Sequence, residues 1–203
     1  SDSATLTKGD YLIHLQKVFE TVNKVPVTVS SFTKLKPITV YLTRDESALA
    51  LLKSRLTQSE KMLNLQNLQM NQTLLEELQV NNKECLADLD EYEKELRELK
   101  TEILNLRKDT VLIKVFTQPS LRVTFKEQFA DLKIKGLVMD SLLKTTTASI
   151  NDLQARTSAN LINIKELLYV TERQLESVSI KAFGKERRYL WESAKVRNKG
   201  VGF

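Results

Sequence analysis

The sequence contains few of the residues from which an enzyme builds a chemical site. It has one histidine, His14, and one cysteine, Cys85. A zinc cluster needs several convergent ligands, and a cysteine nucleophile needs its base alongside, whereas these two residues stand about seventy positions apart. No glycine occurs between Gly9 and Gly136, so we find no glycine-rich phosphate loop. We therefore expect no enzymatic activity, no metal and no cofactor.

Residues that break helices are also scarce. The chain has 5 glycines and 3 prolines among 203 residues, and residues 38–118 contain neither. A structureless stretch of that length would be unusual in a compact domain, and its many Leu, Glu, Lys and Gln residues favour helix. With an aromatic content of only 6%, the sequence predicts an all-α fold of long helices, elongated rather than globular.

Long apolar runs are absent as well. No run approaches the roughly 18 apolar residues that a membrane span needs, and the first residues lack the order of a signal peptide. A lone cysteine forms no disulfide within the chain, which is typical of a reducing compartment. We expect an intracellular protein, cytoplasmic or nuclear.

The charge is unevenly distributed. The net charge is +5, and residues 181–203, with seven basic and two acidic side chains, account for the whole excess. The basic character therefore belongs to the C-terminus and does not indicate a general nucleic-acid-binding surface. We divide the chain into an N-terminal docking segment (1–42), a long coiled-coil helix (43–118), a second long helix (119–183) and a basic tail (184–203).

The N-terminal segment changes pattern in its middle. Residues 10–24 have the spacing of a short amphipathic helix. Residues 25–42 alternate apolar and polar side chains, as at Val25, Val27 and Val29, which allows a small β-hairpin. An isolated hairpin is marginal in water, so an extended linker that packs along a partner is the equal alternative.

The first long helix is predicted to begin at a capping box, Thr43-Arg44-Asp45-Glu46, and to run to about residue 116. Its apolar register changes near Leu65, and from position 75 a heptad repeat extends over more than five heptads, a specific coiled-coil signal. The predicted interface at its a and d positions is Leu75, Leu78, Asn82, Cys85, Leu89, Tyr92, Leu96, Leu99, Ile103, Leu106 and Ile113.

Three residues of this helix add detail to the prediction. Cys85 is interpreted as core packing, because buried thiols behave as small hydrophobes. Asn82 either pairs with its counterpart across a parallel dimer, fixing register, or is one tolerated polar residue. Leu104 lies outside the seam and widens the apolar stripe, so further helices, from the second segment or from a partner, are needed to cover it.

The second long segment has a similar stripe, which shifts by four residues after Leu153. Such a stutter locally unwinds a supercoil without ending the helix. The predicted interface is Phe129, Leu132, Leu143, Ile150, Leu153, Leu161, Ile164, Leu168 and Leu175. Whether the two long helices fold back as a hairpin stays open.

Gly184 is predicted to end the second helix, leaving a basic tail that contains one tryptophan. Its candidate anion-binding residues are Lys185, Arg187, Arg188, Trp191, Lys195, Arg197 and Lys199. They could bind a membrane surface, a microtubule or nucleic acid, or form an ordinary solvated helix end with Trp191 packed on the preceding helix.

Two functions follow from these patterns. The first is a structural scaffold subunit that assembles with other coiled-coil chains, identical or different, in a kinetochore, tether, cytoskeletal or transcription complex. The second is a binding module for an anionic surface, acting through the basic tail. Neither needs a small-molecule substrate.

Overall fold

The computed structural model describes residues 5–58 and 64–199, and these are helical almost throughout. The helices are α1 (Lys8–Ser31), α2 (Leu35–Gln58), α3 (Leu65–Arg107), α4 (Thr110–Thr117), α5 (Pro119–Thr124) and α6 (Lys126–Lys199). The prediction of an all-α fold is confirmed.

The two alternatives for residues 25–42, a β-hairpin and an extended linker, are both wrong. Residues up to Ser31 belong to α1, and α2 begins at Leu35, so only a short turn separates two helices. The alternating valines belong to a helix because Val25 is fully buried there, and tertiary packing overrides weak helix propensity. Pro37 lies in the first turn of α2, where backbone amides have no helical partner in any case.

The predicted helix start at the capping box of Thr43 is wrong, because Thr43 lies inside α2. The α2 helix extends further towards the N-terminus because Ile38 and Leu42 are buried on its inner face. The box is found instead at the start of α1, where Thr7 and Asp10 exchange hydrogen bonds with each other's backbone amides.

The predicted helix from 43 to 116 is interrupted. The α2 helix ends at Gln58, and α3 starts after Asn64, whose side-chain Oδ1 accepts a hydrogen bond from the amide of Asn67 at 2.8 Å. The register change near Leu65 is therefore the sequence mark of a new helix. At the other end, Asp109 caps α4 by accepting from the amide of Leu112 at 2.9 Å.

The α6 helix passes through Gly184 without ending, so the predicted boundary between second helix and tail is wrong. The predicted stutter after Leu153 is also absent from this helix. The buried positions instead follow one continuous three-four spacing along α6: Met139, Leu143, Thr146, Ile150, Leu153, Thr157, Asn160, Ile164, Leu167 and Thr171. The predicted stutter assumes that leucines such as Leu161 and Leu168 are the core positions. These leucines lie at the flank of the stripe, and polar residues occupy several of its core positions.

The described chain forms two compact units. Unit 1 comprises Ser1–Thr39 and Leu86–Ala155. Within it, a hydrogen bond joins His14 of α1 to Asp109, just beyond the end of α3, and an ion pair joins Lys24 of α1 to Glu102 of α3, so α1 and α3 are antiparallel. The α3 and α6 helices are antiparallel as well, because Arg107 pairs with Asp140 while Gln154, later in α6, bonds to Asp90, earlier in α3.

Unit 2 comprises Val40–Cys85 and Arg156–Phe203. Its apolar core takes residues from α2, α3 and α6, so three helical segments surround it. The buried members of this core are Leu49, Leu52, Leu56, Leu68, Leu75, Leu78, Ile164 and Leu167. Each large apolar side chain buried in this way stabilises the fold by about 1.5–3 kcal/mol relative to exposure.

Candidate interaction surfaces

The predicted interface of α3 lies mostly inside the chain's own core. Its buried members are Leu75, Leu78, Asn82, Leu89, Leu96, Leu99 and Ile103, and its half-buried members are Cys85, Tyr92 and Leu106. The exception is Ile113, which is 45% exposed in α4 while its neighbour Leu112 is buried. The residues predicted to meet a partner helix are thus covered by helices of the same unit.

Asn82 bonds within the chain. In unit 2 its Nδ2 donates to the Asp45 carboxylate at 2.9 Å, and its Oδ1 accepts from Asn160 Nδ2 at 3.2 Å. Asp45 is only 2% exposed. One side chain from each of α2, α3 and α6 therefore forms a buried polar layer, an arrangement that favours one alignment of helices over shifted ones.

The predicted interface of α6 divides between core and flank. Leu132, Leu143, Ile150, Leu153 and Ile164 are buried, whereas Phe129, Leu161, Leu168 and Leu175 are half-buried. Sequence reasoning missed Thr157, Asn160 and Thr171, which are buried at core positions. Their spacing from Leu153 and Ile164 is the signal that could have found them.

Charged groups flank the polar layer. In unit 2, Arg156 donates to both carboxylate oxygens of Glu46, from Nε at 2.8 Å and from Nη2 at 3.0 Å. These hydrogen bonds hold the pKa of the Glu46 carboxyl below its ordinary value of 4.5. The bidentate geometry fixes α2 against α6 at this level of the unit.

The C-terminal part of α6 has a different environment. Every side chain from Ser179 to Arg197 is exposed, although the helix continues for about five turns. We call this segment the C-terminal arm. Its exposed large apolar side chains include Phe183 at 64% and Trp191 at 69%. Because Trp191 is exposed, its predicted packing on the preceding helix is wrong, whereas the interpretation of the segment as a solvated helix end stays open.

The arm carries an apolar stripe along one of its faces. Ile180, Phe183, Leu190 and Ala194 follow a spacing typical of one helix face. The three-four spacing of the buried residues of α6, continued past Thr171, falls two positions before each of these residues, so their face differs from the buried one. We call their face the outer stripe.

Basic residues lie on another face of the arm. Lys185, Arg188 and Lys195 share it with Lys181, whereas Arg187 and Arg197 follow the spacing of the outer stripe. All of these side chains are exposed. Lys199 is the last residue of α6, and its side chain lies outside the described part of the structure.

A second exposed feature is a groove between α3 and α6 in unit 1. Two adjacent cavities of about 480 Å³ and 330 Å³ share Ile103, Arg107 and Asp140 in their walls. We call them together the α3–α6 groove. Leu104 lines the larger cavity and is 53% exposed, so the second helical segment does not cover it.

The two candidate reactive residues belong to different units. His14 Nε2 lies 2.9 Å from the carboxylate of Asp109, and Cys85 is half-buried. Within residues 5–58 and 64–199, no three His, Cys, Asp or Glu side chains form a group that could hold a metal ion. In the same residues, no helix has the length and apolar character needed to cross a membrane.

Comparisons with known proteins give no relative for this chain. No family model, no curated protein and no solved structure matches it.

Proposed function

We propose that this protein is a non-enzymatic, intracellular structural subunit that assembles with other proteins through coiled-coil helices. Its partners are other helical chains, and it has no small-molecule substrate and no cofactor. The C-terminal arm is the part of α6 that enters the assembly.

One observation carries this proposal: the arm is a helix of about five turns without cover from the rest of the described chain. Isolated helices of that length are marginal in water, and most helical stability comes from packing an apolar face. Scattered exposed apolar residues need no explanation, but Ile180, Phe183 and Leu190 share one face. A partner helix on the outer stripe would supply the missing packing.

Arg187 restricts which helix can pair with the outer stripe and in which register. It interrupts the outer stripe between Phe183 and Leu190, and a cation within an apolar seam costs stability unless a carboxylate meets it. A partner with an acidic residue at the facing position satisfies it, whereas an apolar residue there does not. Charged residues at such positions select partner and register.

The experiment compares variants of the tagged full-length chain expressed in cells of its source. Phe183→Glu with Leu190→Glu places two charges in the outer stripe, and Tyr189→Glu is the matched control on another face of the same exposed segment. We expect the double variant to lose proteins that the wild type and the control both retain. An identical set of retained proteins with both variants would contradict the proposal.

A second function, binding to an anionic surface, is favoured by the shared face of Lys181, Lys185, Arg188 and Lys195. Clustered basic residues attract anionic lipid at about 1 kcal/mol each near the surface. We expect co-sedimentation with phosphatidylserine vesicles that salt weakens and that Lys185→Glu with Arg188→Glu abolishes. Equal binding to neutral phosphatidylcholine vesicles would contradict this second function.

A further inference from the structure

The α3–α6 groove contains a glycine that the chain's own packing does not require. Gly136 occupies a core-frame position of α6, three residues before Met139 and four after Leu132. A methyl group there would meet no heavy atom within 4 Å outside its own stretch of helix. Glycine lowers helix stability relative to alanine, so this position gives up stability and leaves space.

That space is part of the groove. Gly136 lines the smaller cavity, whose walls are mainly apolar: Val18, Val22, Leu106, Leu112, Phe116 and Met139. This cavity is open to solvent, and its volume of about 330 Å³ is large enough to accept a bulky apolar side chain. A large apolar side chain entering from outside would fill it.

The larger cavity adjoins the smaller one through their shared lining residues. It is lined by Leu104, Leu143 and Ala148, with Lys144 at its edge. Gly136 and Lys144 are separated by about 12 Å of helix at 1.5 Å per residue. Two apolar side chains two turns apart on one face of a docked helix have nearly that spacing, so one helix can place a side chain in each cavity.

The rim charges define the partner's chemistry. Asp140 already holds Arg107, with Nη2 and Oδ2 3.3 Å apart. Lys100 and Lys144 add two further cations to the rim of the larger cavity. An occupant with carboxylates beside its apolar face complements this rim, and one with lysines there does not.

The C-terminal arm of a second copy is a poor fit for this groove. Its own stripe contains Arg187, and its other face carries Lys181, Lys185 and Arg188, so the two surfaces repel. We propose that the α3–α6 groove of unit 1 binds an acidic amphipathic helix of another protein, with one bulky apolar side chain in each cavity.

The test uses the full chain and a fluorescein-labelled peptide of about five turns. The peptide carries leucine or phenylalanine along one face and glutamates on both flanks, and a matched peptide has lysines in place of the glutamates. We expect fluorescence anisotropy to show saturable binding of the acidic peptide alone. No saturation, or equal affinity for both peptides, overturns the proposal.

Variants locate the binding. Gly136→Leu fills the smaller cavity and Leu104→Glu places a carboxylate in the lining of the larger one, and each should weaken binding at least tenfold. Ile162→Glu, at an exposed apolar position of α6 in unit 2, is the control and should not change the affinity. Circular dichroism confirms that each variant is folded, and unchanged affinity in a folded Leu104→Glu variant overturns the proposal.

A charge exchange gives an independent readout. Lys100→Glu with Lys144→Glu should reverse the preference, so that the lysine peptide binds and the glutamate peptide does not. Failure of the double variant to change the preference contradicts the assigned partner chemistry. Self-association of the wild-type chain that Leu104→Glu abolishes, measured by light scattering, would assign the groove to a second copy and overturn the proposal.

Discussion

Asn82→Leu tests whether the buried polar layer of unit 2 exists as described. Leucine and asparagine have similar size, so the substitution removes hydrogen bonds without creating a large cavity. The Asp45 carboxylate loses the donor at 2.9 Å, and Asn160 Nδ2 loses its acceptor at 3.2 Å. A hydrogen bond to a charged group stabilises the fold by about 1.5–3 kcal/mol, and a buried polar group left without its partner destabilises the fold by a similar amount.

We therefore expect Asn82→Leu to lower the free energy of unfolding by about 2–3 kcal/mol. In urea denaturation followed by circular dichroism, this corresponds to a midpoint lower by about 1 M at an m-value of about 2–3 kcal/mol/M. Asn163→Leu is the matched control, because Asn163 is an exposed asparagine of α6, three residues after the buried Asn160. Its effect should stay within about 0.5 kcal/mol.

A double-mutant cycle makes the test specific to the contact. In the single variant the Asp45 oxygen Oδ2 loses its donor, while Arg44 still reaches Oδ1 at 3.4 Å; adding Asp45→Leu removes the unsatisfied oxygen, so the second substitution should restore part of the stability. Coupled residues differ from additivity by about 0.5–3 kcal/mol. Additive effects of Asp45→Leu and Asn82→Leu would refute the layer, because residues that do not touch should not compensate each other.

Three further predictions rest on other contacts. Gly136→Ala should raise the free energy of unfolding by about 0.5–1 kcal/mol, measured by urea denaturation, because the added methyl group meets no neighbour. Gly184 has no neighbour either, but the arm around it is exposed and opens separately from the core, so Gly184→Ala should leave the global free energy of unfolding unchanged, and the reverse order would contradict the fold. The Glu46 pKa is lowered by its bonds from Arg156, so their contribution is present above pH 4.5 and is lost as pH falls through the lowered folded value; Arg156→Met should reduce the loss of stability in acid, and an unchanged acid titration would argue against the pair. Tyr92→Ala should destabilise unit 1 by about 3 kcal/mol, because the Tyr92 ring stacks on Phe32 with centroids 4.2 Å apart; a loss below about 1 kcal/mol in denaturation would exclude that stack.

Periodicity in the sequence predicted the inner face of α3, since the residues from Leu75 to Ile103 follow one frame and their leucines are all buried or nearly so. It failed where polar residues occupy core positions. Thr157 and Asn160 are buried in unit 2, as are Asp45 and Asn82, and a rule that expects apolar residues there moves the frame to Leu161 instead.

Local pattern also failed where tertiary contacts decide the structure. The valines at 25–29 have strand propensity, yet Val25 is buried in a helix, and a proline at position 26 lies within that helix. Propensity is a weak signal that packing overrides. The helical state of the C-terminal arm could not be predicted either, because Gly184 resembles a helix end, whereas α6 continues through it to Lys199.

Hydrogen exchange of the C-terminal arm tests the central claim most directly. The amides of residues 179–197 would be followed by mass spectrometry in the purified chain and in the assembly isolated from cells of its source. A helix without tertiary cover opens at little cost, so the account predicts fast exchange in the purified chain and protection at least a hundredfold greater in the assembly. Equal exchange in the two samples would contradict the claim that the arm is the docking element.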